Sequence, residues 1–167
     1  MNPRIAEFVA AAGDYVHRAT GLELDGSVES LAYVDHYMAQ AADMSDPLLE
    51  LLAPAFGAYF GEIVLSRFGG GWQADSSSPQ EWRIAIGPGE SELLTFSPVA
   101  MAATALRRGE VEGYDAYLTT EARLEPALEE ALERLQPVDE RYYYSLTGRL
   151  ELIEHVVDLL VGLQQRQ

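Results

Sequence analysis

Apolar residues recur at intervals of three and four positions between residues 48 and 68, and this spacing predicts a central helix. The apolar positions cover so much of the circumference that we expect this helix inside the fold rather than on its surface. Asp46 and Pro47 suit the N-cap and the first helical position, and the glycine run 69–71 ends the helix. Pro54 leaves two alternatives, either one long helix or a short first helix followed by a main helix that begins near Pro54.

The same helical spacing of apolar positions predicts further helices over residues 2–19, from residue 27 onward, and over residues 97–109, 120–135 and 138–163. Alternating apolar positions and short connections predict three antiparallel strands, at residues 72–74, 82–87 and 93–96. We therefore expect an α+β fold in which five or six helices pack around a small three-stranded antiparallel sheet. The length of 167 residues and the absence of a long linker predict a single domain, 1–167.

The last predicted helix carries two apolar seams, and one packing neighbour usually covers only one. The first seam consists of Leu146, Leu150, Ile153, Val157 and Leu160, and the second of Leu152, Val156, Leu159 and Leu163. A position in the core explains both seams, and we favour it. The alternative is that one seam joins two copies of the chain, so the protein is expected to be a monomer or a homodimer through the 138–163 helix.

The composition limits the chemistry that the chain can perform. A net charge of −16 argues against binding to nucleic acids or anionic membranes, where neutralising phosphates supplies most of the affinity. The chain has no cysteine and no lysine, which excludes disulfides, thiolate metal sites and Schiff-base chemistry. We recognise no signal peptide and no apolar run of the roughly twenty residues that span a bilayer, so we expect a cytoplasmic protein.

Residues 110–140 contain ten acidic residues and two arginines, which amounts to half of the net charge. On the helix predicted for residues 120–135, the acidic side chains form an almost unbroken outer face. A solvated surface is the ordinary explanation for such a face. The alternative is a docking surface for a basic protein partner, because complementary charge speeds encounter and rejects wrong partners. We assign its binding residues as Glu121, Glu125, Glu129 and Glu133.

Glu62 lies in the middle of the predicted central helix, where a buried carboxylate needs hydrogen-bond donors. Arg83 and the indole N–H of Trp72 or Trp82 become donors if the strands fold back onto the helix. The functional interpretation is a general acid or base, with Tyr59 and Arg83 as further catalytic candidates. The structural interpretation is an acid that connects helix and sheet, or a solvated side chain.

No cofactor or metal is expected, because the three histidines are far apart and no nucleotide-binding motif is present. The neighbouring residues Asp35 and His36 do not form a catalytic pair, since adjacent side chains on a helix point in different directions. The candidate acids therefore remain Glu62 and the acidic face.

Three short stretches are similar to a recurring bacterial pattern: GAYFGE at 57–62, GGGW at 69–72 and FSPVAMAATALRRGE at 96–110. The pattern consists of a GAYxGE helix, a GGxW turn and a proline-started helix ending in Arg-x-Gly-Glu. It belongs to small families of a domain of unknown function, and it spans about a third of the chain. The resemblance implies a shared fold and no activity. It also implies a linked structural unit that consists of Gly57, Tyr59, Gly61, Glu62 and Trp72.

The sequence favours a non-enzymatic, acidic protein-binding module, such as an immunity-type or accessory protein that neutralises a basic partner. The alternative is an enzyme or a small-ligand-binding protein with a site near Glu62. The two hypotheses predict different surfaces, the acidic face in the first case and a pocket between central helix and sheet in the second.

Overall fold

The computed structural model describes residues 2–41, 43–135 and 139–166. Within them it contains seven helices and a three-stranded antiparallel sheet, which confirms the α+β fold. The helices are α1 (Pro3–Thr20), α2 (Leu31–Ala39), α3 (Asp46–Phe68), α4 (Pro98–Arg107), α5 (Glu125–Glu133), α6 (Glu140–Tyr144) and α7 (Leu146–Gln165). The strands are β1 (Gly70–Gln73), β2 (Arg83–Ile86) and β3 (Leu94–Phe96), and a 3₁₀ turn at Pro79–Glu81 precedes β2.

Helix α3 is the central element, as its apolar spacing predicts. It packs mainly against α4 and α1, and its buried face belongs to a core cluster with buried members from every helix except α6 and from strands β2 and β3. The Ser45 side chain accepts a hydrogen bond from the backbone N–H of Leu48, so Ser45 rather than Asp46 is the N-cap. The helix continues through Pro54, which corrects the alternative of a separate first helix.

Two glycines of α3 permit close packing. A Cβ at Gly57 would overlap the backbone of Val99 in α4, and a Cβ at Gly61 would overlap the indole ring of Trp72. Gly57 therefore brings two helices into backbone contact, which agrees with the close approach expected from its position. Gly61 makes room for a side chain of β1, and the two contacts together fix α4 and the sheet against α3.

The sheet has the order β1-β2-β3, and both pairs of strands are antiparallel. Ile84 lies opposite Trp72 on one side and Phe96 on the other. Ile84 and Phe96 are fully buried, and β2 contacts α3. The sheet therefore covers one end of the central helix.

Helix α5 is shorter than the sequence predicts, since it covers Glu125–Glu133 instead of residues 120–135. Pro126 stands in its first turn, where the missing N–H costs nothing but the helix cannot extend easily towards the N-terminus. Thr119 instead pairs with Thr95 of β3 as an isolated antiparallel bridge. The segment before α5 is therefore attached to the edge of the sheet.

The helix predicted for residues 138–163 is divided at Ser145, and its predicted first residue lies outside the described part of the chain. The Ser145 hydroxyl accepts a hydrogen bond from the backbone N–H of Gly148 at 2.9 Å, which begins a new helix. The Asp35 carboxylate accepts further hydrogen bonds from the backbone N–H groups of Leu146 and Thr147, at 2.8 and 3.1 Å. Asp35 is thus a second cap of α7, contributed by α2.

The first apolar seam of α7 is buried throughout, while the second is only partly buried and includes Leu159, which is 37% exposed. The core position of the first seam agrees with the interpretation that we favoured. Contrary to the expectation from the sequence, helix α3 is long and apolar enough to cross a membrane by length and composition, but 72% of its most apolar stretch is buried inside the protein.

Candidate functional site

Arg149 is the most unusual charged residue of the structure, because it is only 5% exposed. It lies in the first turns of α7, a position fixed by the Ser145 and Asp35 caps. Its Nη2 donates a hydrogen bond to Thr104 Oγ1 of α4 at 3.2 Å, while its Nε is buried without an acceptor. No carboxylate oxygen of the described residues lies within 4.0 Å of the guanidinium. A buried charge without a counter-ion is costly, so this arrangement needs an explanation.

Two aromatic rings of α6 contact the guanidinium. The Cζ atom of Arg149 lies 4.8 Å from the ring centre of Tyr143 and 5.4 Å from that of Tyr144. The two rings meet edge to face, with centres 5.0 Å apart. Cation–π attraction therefore stabilises the charge in part and holds the plane of the guanidinium in place.

The guanidinium faces a cavity of about 110 Å³, which we call the arginine pocket. This volume is several times that needed for one water molecule. The polar lining comes from α4, α6, α7 and the segment before α5, and leucines of α5 and α7 close the apolar side. The pocket is lined by Thr104, Glu110, Tyr114, Asp115, Ala116, Tyr117, Leu118, Leu132, Tyr143, Tyr144, Arg149 and Leu152.

The electrostatics of the pocket are mixed. Burial lowers the pKa of Arg149 from its ordinary value, and Tyr143, Tyr144 and Glu110 act against this shift. Burial also raises the pKa of Tyr144, with further contributions from Tyr143 and Glu110. Arginine remains a cation at neutral pH, so the pocket presents one fixed positive charge. Asp115 lines the same pocket and pairs with Arg83 at 3.8 Å.

A second cavity of about 840 Å³ adjoins the arginine pocket, and we call it the apolar groove. Its walls come from α5, α6 and α7 and include Leu135, Tyr142 and His155. The two cavities have five lining residues in common, namely Tyr117, Leu132, Tyr143, Tyr144 and Leu152. A pocket that contains Arg149 therefore lies beside a larger and mostly apolar space, whose lining also includes Glu140 and Glu151. A mostly apolar cavity with a few polar groups is the usual character of a small-molecule site.

The structure does not bring the residues proposed around Glu62 together. Glu62 is half-buried, and no hydrogen bond or ion pair of the described residues links it to Tyr59, Arg83 or either tryptophan. The Tyr59 hydroxyl accepts from the backbone N–H of Gly26 at 2.9 Å and shares a 2.5 Å hydrogen bond with Ser30.

Of the remaining proposed partners of Glu62, Trp82 and Arg83 interact with other residues, and Trp72 donates no hydrogen bond to a described residue. The Trp82 indole N–H donates to the Ser76 carbonyl at 2.6 Å, and Arg83 faces Asp115. The Trp72 Nε1 is buried without an acceptor. Tyr59 and Trp82 therefore have structural roles, since each fastens a loop to the core.

The acidic face is only partly assembled. Glu125, Glu129 and Glu133 are exposed at four-residue spacing on α5, and none of them has an ion-pair partner among the described residues. Glu121 precedes the helix and pairs with Arg123 at 2.6 Å. Three of the four predicted binding residues therefore share one surface, and the fourth is neutralised by its neighbour.

Sequence reasoning missed Arg149, although a signal was present. Arg149 stands three residues after Leu146 and four before Ile153, so the helical spacing assigns it to the buried seam. A charged residue at such a position is a sign of a functional or paired group. Its contacts with Thr104 and Tyr143 come from other elements, and no local pattern predicts them.

Within residues 2–41, 43–135 and 139–166, no group of three or more metal-ligating side chains occurs. The fold and the pocket thus define an α+β protein with a buried-arginine site. Comparison of the chain with protein-family models, with curated proteins and with solved structures found no match. The resemblance to the GAYxGE pattern accordingly stays a prediction, and the function has to be argued from the site alone.

Proposed function

We propose that the protein binds a small anionic ligand, whose negative group meets Arg149 in the arginine pocket. The observation that carries this proposal is an arginine that is only 5% exposed, has one hydrogen bond to Thr104 and no carboxylate within ion-pair distance among the described residues, and lines a cavity. A ligand anion in this cavity would supply the missing counter-charge. Hydrogen bonds between charged groups are about twice as strong as neutral ones.

The pocket supports binding more directly than catalysis. An arginine does not exchange protons at physiological pH, and its planar donors are suited to recognising an anion. The tyrosines that line the pocket add hydroxyl groups that can donate to or accept from a ligand. The proposal therefore takes up the small-ligand alternative of the sequence analysis and moves it from Glu62 to Arg149.

A fluorine NMR titration tests the proposal, with 4-fluorobenzoate as the anion and 4-fluorobenzamide as its neutral counterpart. We expect the native protein to bind the anion in the millimolar range and the amide far more weakly. The substitution R149M should weaken binding of the anion at least about tenfold, because a charge-assisted hydrogen bond contributes about 1.5–3 kcal/mol. The control is R123M, which removes an exposed arginine that pairs with Glu121. Equal binding by R149M and R123M would contradict the proposal.

A second candidate function is the acidic module for a basic protein partner. The observation in its favour is the exposed row of Glu125, Glu129 and Glu133 on α5, which has no cation paired with it in the described structure. One version of this second candidate is an immunity-type or accessory protein that neutralises a basic partner. It is independent of the arginine pocket, because the three carboxylates are not among the residues that line it.

A pull-down at low and high salt tests this second candidate. We expect the native protein to retain one basic protein in stoichiometric amount at low salt and to lose it as salt rises. The triple substitution E125R/E129R/E133R should abolish retention. The control E7R/E29R/E90R changes the net charge equally at exposed positions elsewhere and should retain the partner. Retention by both triple variants would remove the acidic face from consideration.

A further inference from the structure

The arginine pocket and the apolar groove are neighbouring cavities. Both of them are lined by Tyr117, Leu132, Tyr143, Tyr144 and Leu152. A ligand whose anionic group lies in the arginine pocket therefore has the groove beside it. This geometry restricts the class of the ligand more narrowly than the charge of Arg149 does.

The charged end favours a group with a single negative charge. Arg149 is the only arginine that lines the pocket, while Glu110 and Asp115 stand on its wall and repel a second negative charge. A guanidinium presents parallel N–H donors that match the two oxygens of a carboxylate. A phosphate monoester carries more charge at neutral pH than one guanidinium neutralises in an acidic surrounding.

The apolar end favours a hydrocarbon body. The groove has a volume of about 840 Å³, within the range of sites for drug-sized ligands, and most of the residues that line it are leucines and tyrosines. Glu140 and Glu151 also line it, and both are exposed to solvent. Each methylene group transferred from water to such a surface strengthens binding by up to about fourfold. A ligand that occupies only the arginine pocket would bury none of this apolar surface.

We infer that the ligand is a single-chain organic carboxylate, with its carboxylate on Arg149 and its hydrocarbon body in the apolar groove. The inference rests on the proposed function, since it requires Arg149 to bind an anion. It adds the chemical class of that anion and the direction in which the ligand lies. Neither Glu62 nor the acidic face of α5 takes part.

The experiment is an isothermal titration of the native protein with butanoate, hexanoate, octanoate and decanoate, all below their micelle concentrations. We expect the dissociation constant to fall with each added methylene, by up to about fourfold per group. The substitution R149M should raise the dissociation constant by a similar factor, at least about tenfold, at every chain length. The substitution L152N should instead flatten the dependence on chain length, because it places an amide in the groove.

The matched control is L159N, which makes the same change on the same helix at a residue that is 37% exposed and outside the groove. It should leave the whole series unchanged. Thermal unfolding of each variant verifies that it is folded at the temperature of the titration, and L152A replaces L152N if the amide prevents folding. Octanamide serves as the neutral ligand, and inorganic phosphate as the competing dianion.

The outcomes separate the inference from the proposed function. Arg149-dependent binding that does not strengthen with chain length overturns the inference and leaves the proposed function standing. Displacement of octanoate by millimolar phosphate would show that the site also binds a dianion, and it would overturn the assignment of the ligand to the carboxylates. Equal affinity for octanamide and octanoate, unchanged by R149M, overturns both. Two results together support both the proposed function and the inference. R149M weakens binding by a similar factor at every chain length, and L152N reduces the dependence of the dissociation constant on chain length.

Discussion

At the scale of single residues, Arg149 and Asp35 are charged side chains of opposite sign, and both are shielded from solvent. Each is a charged group removed from water, Arg149 at 5% exposure and Asp35 among the N–H groups that begin α7. Asp35 has its hydrogen bonds supplied by the protein, including one from the Thr147 hydroxyl at 2.6 Å. Among the described residues, Arg149 donates one hydrogen bond, to Thr104, and is otherwise stabilised by two aromatic rings and by the more distant charge of Glu110. The difference suggests a structural role for Asp35 and a binding role for Arg149.

This difference leads to a prediction about stability. The substitution R149M should change the free energy of unfolding by less than about 1 kcal/mol, because an apolar side chain of similar length removes a costly buried charge along with its weak contacts. Chemical denaturation of the native protein and R149M measures the change. A loss above about 3 kcal/mol would instead assign Arg149 a structural role, since that is the cost of disrupting a buried and fully satisfied charge.

Asp35 yields a prediction about pH. Burial raises its pKa above the ordinary 3.8, against the opposing effect of its hydrogen bonds with Thr147 and Leu146. The folded state therefore holds the proton more firmly than the unfolded state, and the Asp35 contribution to stability falls as pH rises from 3.8 through the raised value. Denaturation of the native protein and D35N between pH 3.5 and about 6 isolates this contribution. We expect the native protein to lose stability relative to D35N as pH rises; a gain would show that the hydrogen bonds outweigh burial.

At the scale of secondary-structure elements, the spacing of apolar residues predicts which helices and strands exist better than it predicts where they begin and end. The apolar repeat of α3 and the alternation around Ile84 identify the central helix and the middle strand. The start of α5 and the division at Ser145 depend on Pro126 and on a serine cap, which are single residues within longer apolar patterns. Because one residue decides such a boundary, a pattern spread over fifteen residues does not reveal it.

The packing of α3 against α4 gives a prediction at this scale. The substitution G57A should destabilise the protein by about 1–3 kcal/mol, because the added methyl group would overlap the Val99 backbone and cannot move away. The control is G13A in α1, where nothing lies within 4 Å of an added Cβ. There we expect a gain of up to about 1 kcal/mol, since alanine is the better helix former. Thermal denaturation compares the two, and equal effects would contradict the close contact between helices.

At the scale of the whole molecule, a chain with a net charge of −16 buries one arginine without an ion-pair partner among the described residues. The sequence predicts the α+β fold and the exposure of Glu125, Glu129 and Glu133, because both follow from local patterns. It does not predict the arginine pocket, since α4, α6, α7 and the segment before α5 meet there only after folding. The net charge reflects mainly the exposed side chains, so it does not reveal that one arginine is buried.

The central claim is that the Arg149 guanidinium binds the anionic group of a ligand. The most direct measurement is the ¹⁵N–¹H NMR signal of Arg149 Nε, identified by its disappearance in R149M, during a titration with octanoate. Because a bound carboxylate places a negative charge beside the guanidinium, we predict a saturable shift of this proton as octanoate binds. Octanamide at the same concentrations should produce little change. A signal that stays in place, while octanoate shifts backbone signals elsewhere in the protein, would contradict the claim.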